Sequence, residues 1–141
     1  MSRFSTGLPR LRSGIMTDPI VYLETPEFQK DFRKLLKKFR SLNEDLAMAK
    51  KAAIELFHVK KINNQSVFPI PGFCSPEIEI CKLKKFACKA LKGKGVQSGI
   101  RIIYAFYPRE RKVELIEIYF KADQENEDRE RIKEYLQDHS M

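Results

Sequence analysis

The sequence predicts an α+β domain: an antiparallel sheet with an N-terminal helical hairpin packed on one face and a C-terminal helix, in the order β-α-α-β-β-β-α. Three observations predict it. An apolar stripe at helical spacing begins behind Thr25-Pro26. Three runs of alternating residues fill the second half of the chain. A narrower apolar stripe near the C terminus follows an acidic start, which suits the positive end of a helix.

The elements follow in order. "IVYLE" (Ile20 to Glu24) is β-branched and aromatic and reads as a first strand. "TPEFQKDFRKLLKKF" offers Thr25 as N-cap, Pro26 at the first helical position and Glu27 in the first turn. Phe28, Phe32, Leu35, Leu36 and Phe39 make one stripe, with Lys30, Arg33, Lys34, Lys37 and Lys38 on the other faces. "SLNED" breaks that helix and Asn43 is a candidate cap for a second, which buries Leu46, Ala49, Ala53 and Leu56 or Phe57. The connection is short, so the two helices form a hairpin. From His58 to Glu77 periodicity dissolves among Asn63, Asn64, Pro69, Pro71, Gly72 and Pro76, which predicts a long loop.

"EIEICKLKKFACK" is the next strand, with a bulge expected near Cys81, where its phase is ambiguous. Ala90 to Gln97 reads as a flexible basic loop. "SGIRIIYAFY" places Ile100, Ile102, Tyr104 and Phe106 on one face. "KVELIEIYFK" places Ile116, Ile118 and Phe120 on one face, and Leu115, Glu117, Tyr119 and Lys121 on the other. A last helix from Asp123 to Asp138 has Asp123 as its expected N-cap and Ile132, Tyr135 and Leu136 as its stripe.

The chain of 141 residues fits one domain, expected over residues 18–141. Residues 1–17 carry Arg3, Arg10 and Arg12 before the first acid at Asp18. That composition resembles a transit peptide, but an N-terminal extension with Met16 as a second start is the preferred expectation. No apolar run is long enough to span a bilayer. Cys74, Cys81 and Cys88 are odd in number and lack a C-x-x-C, so no metal site or cofactor is expected and the thiols suit a reducing compartment.

Charge is the informative feature. The net charge is +8, and Ile80 to Arg109 contains eight cations and no carboxylate: Lys82, Lys84, Lys85, Lys89, Lys92, Lys94, Arg101 and Arg109. The excess therefore sits in one region, which suggests a polyanion, nucleic acid before membrane. Strand periodicity points Lys82 and Lys84 the same way, and Arg101, between Ile100 and Ile102, faces away from the core. With Lys121 they are expected on one exposed sheet face, rimmed by Lys92 and Lys94. Such a face holds phosphates, or stabilises the charge that develops at phosphorus during RNA cleavage. Crowded lysines also depress one another's pKa and so supply an acid or base. The alternative is a solvated strand face that discourages edge aggregation.

The "KLK" at Lys82 to Lys84, followed by "GKGVQSGIRIIYAFYPRERKVELIEIYFKAD", resembles the RelE/ParE superfamily of bacterial toxins, over roughly Ile20 to Leu136. The order of elements and the S-G-x-R-x-x-Y strand carry the likeness. It implies the toxic half of a toxin–antitoxin pair, with a cognate antitoxin as partner. RelE-like members are ribosome-dependent mRNA endonucleases of the cytoplasm, in which the substrate's own 2′-hydroxyl attacks the neighbouring phosphate without metal. Carried onto this chain, the likeness implies catalytic roles for Lys82, Lys84, Arg101 and Lys121, Arg101 stabilising the transition state. Lys85, Lys89, Lys92 and Lys94 are the expected further RNA contacts. ParE-like members inhibit DNA gyrase instead, and a non-catalytic nucleic-acid- or ribosome-binding homologue is a further alternative. The sequence departs from RelE-like nucleases after the last strand, where a tyrosine is common and "ADQENEDRERI" is acidic.

Overall fold

The computed structural model describes residues 19–62, 65–95 and 97–139. The expected extension at residues 1–17 lies outside them. Five strands form one sheet: β1 (Val21–Glu24), β2 (Val67–Cys74), β3 (Glu79–Leu83), β4 (Ile100–Tyr107) and β5 (Lys112–Phe120), in the spatial order β1-β5-β4-β3-β2. The architecture is α+β as expected, with two differences in the sheet. β1 runs parallel to β5, whereas the other pairs are antiparallel. The segment expected to be loop up to Glu77 contains β2, whose Pro69 and Pro71 disguise it. An edge strand tolerates prolines because half of its backbone has no ladder partner.

Helix α1 (Pro26–Lys38) starts where its signals say, and the Thr25 hydroxyl accepts from the Phe28 amide at 3.1 Å. Helix α2 (Leu42–Ala49) continues through a π-helical segment, Lys50–Glu55, into the short α3 (Leu56–His58). Asn43 is not its cap. The cap position is Ser41, whose hydroxyl donates to Asp45 at 2.6 Å and accepts from the Ala90 amide. The Tyr22 hydroxyl reaches Glu55 at 2.9 Å and ties the π-helical segment to β1.

These helices cover one sheet face. Phe28, Leu42 and Ile54 pack there against Leu83, Ile100, Ile102, Tyr104 and Leu115. Each fully buried aliphatic side chain contributes roughly 1.5–3 kcal/mol through area removed from water. His58 closes this layer: it is buried, stacks on Phe106 at 3.9 Å and shares a 2.8 Å hydrogen bond with the Tyr104 hydroxyl.

Two register shifts set the opposite face. The β2–β3 pairing jumps from Pro69↔Cys81 to Cys74↔Glu79, so the irregularity expected near Cys81 falls on β2. On β5, Ile103↔Glu117 is followed by Tyr104↔Leu115. That bulge separates Ile116 from Ile118, so the expected Ile116-Ile118-Phe120 row does not form. Leu115, Ile118 and Phe120 face the helical hairpin, and Ile116 and Tyr119 face the other side.

Helix α4 (Arg129–His139) lies on that other side, with Ile132 and Tyr135 against Ile103, Tyr107, Ile116 and Tyr119. It begins later than expected. Asp128, not Asp123, caps it, accepting from the Arg131 amide at 3.1 Å. Arg131 bonds Asp31 at 2.6 Å and so joins α4 to α1. The second face is thus covered at one end and open at the other. Among the described residues, no helix is long and apolar enough to cross a membrane, and Cys74, Cys81 and Cys88 are free thiols.

Candidate nucleic-acid interface

The open end of the second face is built from two cross-strand rows. Phe68↔Lys82, Lys82↔Ile103 and Ile103↔Glu117 define the inner row across β2, β3, β4 and β5. One step outward, Arg101 pairs with Tyr119, and the Arg101 guanidinium donates to the Lys84 carbonyl at 2.8 Å. Lys121 follows immediately, its amide donating to the Gly99 carbonyl at 2.8 Å. Gly99 sits at φ +87°, and a side chain there would be strained beside the Phe120 ring, 3.5 Å from an added Cβ.

Register therefore gathers Lys82, Lys84 and Arg101 on one face, with Lys121 at its margin. Their surroundings differ. Among the described residues, Lys84, Arg101 and Lys121 have no carboxylate within ion-pair distance. The Lys84 ammonium lies 4.6 Å from the ring centroid of Phe68, which is 39% exposed. A cation over an exposed aromatic ring is a surface suited to a phosphate with a base beside it.

Lys82 is already engaged. Its ammonium is 2.8 Å from Glu127, and the two side chains keep only 15% and 11% exposure. Desolvation is the largest single influence on Lys82 and would lower its pKa, but Glu127 and Tyr119 together outweigh it and the net shift is upward. Burial would likewise raise Glu127, and Lys82, a backbone hydrogen bond and Arg129 together override it and lower that pKa. The expected depression of a crowded lysine is therefore not what Lys82 shows: its nearest charged partner is an anion. A separation of 45 residues along the chain hid this pair from sequence periodicity.

Glu127 is held in place from below. Glu117, buried among the apolar residues, accepts from the Asp128 amide at 2.9 Å and from the Gln124 side chain at 2.7 Å. Burial raises its pKa despite those two bonds. Beside Lys82, Tyr119 is buried, and its hydroxyl makes no hydrogen bond of ordinary geometry among the described residues, Lys82 being the group close enough to act on it. Burial pushes this phenol up, and Lys82 pulls it partway back.

The remaining predicted contacts divide. Lys92 and Lys94 are exposed in the β3–β4 connection. Lys89 is drawn toward the helical hairpin, its ammonium 3.3 Å from Glu44 and its amide bonded to Asp45. Lys85 lines a small cleft with Asp45, Met48 and Ala52 on that same side. The structure does not bring Lys85 and Lys89 to the Arg101 face. Sequence reasoning missed Phe68, Tyr119 and Glu127. The acidic run after β5 was visible, but not its return over the basic strand.

No family model matches this chain, and no curated protein matches it. Among solved structures, the chain is similar to the archaeal RelE–RelB complex from Pyrococcus horikoshii OT3, at 10% identity and a TM-score of 0.45, covering 74% of this chain and 97% of that one. A likeness at that level carries no functional argument.

Proposed function

We propose that the protein is a RelE/ParE-type toxin that acts on RNA as a ribosome-dependent mRNA endonuclease. One observation carries the reading: Lys84 and Arg101 stand side by side on one sheet face, beside exposed Phe68, with no carboxylate paired to either among the described residues. Cations in register with no carboxylate partner bind phosphates without first breaking an ion pair, and an affinity so built falls steeply with salt.

In the proposed reaction the 2′-oxygen of the substrate forms a new bond to the adjacent phosphorus while its proton passes to water. The 5′-oxygen departs and takes a proton from the Lys84 ammonium, which regains one from solvent. Arg101 stabilises the extra charge at phosphorus, a contribution of about 3 kcal/mol for one well-placed donor. Lys82 adds a further positive charge to the face. A cognate antitoxin that covers this face is the expected partner, and the cytoplasm is the expected place of action.

The test is to map mRNA 5′ ends on translating ribosomes with the wild type and with Arg101→Ala. Discrete new ends with the wild type, reduced about a hundredfold in the variant, support the reading. No new ends, or equal ends with both, overturn it. The Lys82–Glu127 pair favours one second reading, a homologue that grips RNA without cutting it. In that case both proteins leave mRNA intact, while Arg101→Ala alone loses salt-dependent RNA binding.

A further inference from the structure

We propose that Lys82 and the Tyr119 hydroxyl form a second phosphate subsite, inboard of Arg101, and that Glu127 occupies it as an internal phosphate mimic. The inference rests on the RNA-binding reading above and deepens it by adding a gate.

Three observations carry it. Lys82 is on the same sheet face as Arg101, one cross-strand row further in, yet its ammonium is spent on a carboxylate at 2.8 Å. Glu127 belongs to neither a strand nor a helix. It lies in the connection between β5 and α4, just ahead of the α4 cap residue Asp128. Tyr119, only 4% exposed, keeps a buried hydroxyl that makes no hydrogen bond of ordinary geometry among the described residues, with Lys82 as its polar neighbour. Its ring centroid lies 5.9 Å from the Lys82 ammonium. A buried polar group without a partner is costly, and native structures seldom keep one without a use.

A phosphate resolves all three. Its two charged oxygens can divide between Lys82 and the Tyr119 phenol, whereas Glu127 gives one oxygen to Lys82 and turns the other to Arg129. It also removes a like-charge conflict, since an RNA phosphate on Arg101 would otherwise lie near the Glu127 carboxylate. Glu127 has somewhere to go. Arg129, 53% exposed, already lies 3.2 Å from its second oxygen and keeps it paired as it swings outward. The Glu117 bonds to Gln124 and Asp128 anchor the connection on either side, so the movement is confined to a short segment.

The acidic run therefore acts as a reversible cover. Neutral or displaced, it adds one phosphate contact to the face; in place, it limits the grip to the outer row. This differs from a structural ion pair, whose loss would weaken the fold and leave RNA affinity unchanged.

The test measures fluorescence anisotropy of a labelled single-stranded RNA oligonucleotide with the full chain, for the wild type, Glu127→Gln, Lys82→Ala, Glu127→Gln with Lys82→Ala, Tyr119→Phe with Glu127→Gln, and Arg101→Ala. Glu127→Gln should bind about tenfold more tightly than the wild type, a gain of the size expected from removing one nearby like charge. That gain should vanish without Lys82 and shrink severalfold without the Tyr119 hydroxyl. Unchanged affinity in Glu127→Gln, with loss in Arg101→Ala, overturns the gate and leaves the RNA reading standing. Unchanged affinity in Arg101→Ala overturns the RNA reading itself. Should Glu127→Gln fold poorly, the wild type still decides. With tyrosines carbon-13 labelled and Tyr119 assigned through Tyr119→Phe, RNA should shift the Tyr119 ring-carbon resonance, and an unmoved resonance at saturation overturns the proposal.

Discussion

Lowering the pH toward 5 should weaken the fold chiefly through one buried imidazole. His58 joins the end of the helical hairpin to the sheet by stacking on Phe106 and bonding Tyr104, with no water-exposed edge of consequence. Burial, reinforced by the charge of Lys61, lowers its pKa from 6.5 to about 4. The unfolded chain binds a proton near 6.5, and the folded chain refuses it until near 4. The stability contributed by this site is therefore complete above about pH 6.5 and is lost as pH falls from there to about 4. Between about pH 7.5 and pH 5 the loss works out to about 2 kcal/mol, from 1.36 kcal/mol per pH unit over the interval below 6.5.

The assay is urea unfolding at those two pH values, for the wild type and for His58→Leu combined with Tyr104→Phe. Removing both partners together avoids leaving one polar group stranded. Carboxylates elsewhere contribute equally to both proteins, so the difference between their pH dependences isolates His58. The double variant should lose about 2 kcal/mol less than the wild type over this interval. Identical pH dependence would show that the imidazole titrates normally in the folded state, and would refute its placement between the hairpin and the sheet.

Four further outcomes are expected. Thr25→Ala should cost about 1 kcal/mol in urea unfolding, because the α1 cap to Phe28 is lost. Ile132→Ala should cost about 2–5 kcal/mol, since α4 has few other large apolar anchors on the second face, and thermal melting reads it directly. Tyr119→Phe should leave the melting temperature unchanged or raise it, because the buried hydroxyl it removes makes no hydrogen bond of ordinary geometry and Lys82 keeps Glu127. Lys84→Ala should lower the slope of log affinity against log salt for single-stranded RNA by about 0.7, the signature of one lost phosphate contact, as read by anisotropy titrations.

The features legible in the sequence are those whose causes are local. Thr25-Pro26 and the five-residue stripe behind it place α1, because capping and helical periodicity act within a few turns. β4 alternates cleanly, and that alternation alone puts Arg101 on the face away from the hairpin. The features that were missed are set by contacts far apart in sequence. β2 forms because β3 offers it an edge, which no local propensity in "VFPIPGFC" announces. The β5 bulge, which turns Ile116 to the α4 side, exists only in the register with β4. Glu127 reaches Lys82 because buried Glu117 anchors the connection that carries it. The outer row of the candidate site was thus readable, and the cover over its inner half was not.

In the proposed function RNA lies on the open end of the second sheet face, around Lys84 and Arg101. Backbone amide chemical shifts of the wild type, followed as single-stranded RNA is added, test it most directly. Perturbations should centre on Phe68, Lys84, Arg101 and Lys121 and fade with salt, with α1 quiet. Perturbations centred on the α1 cations with the Arg101 face silent, or none at saturating RNA, would contradict it.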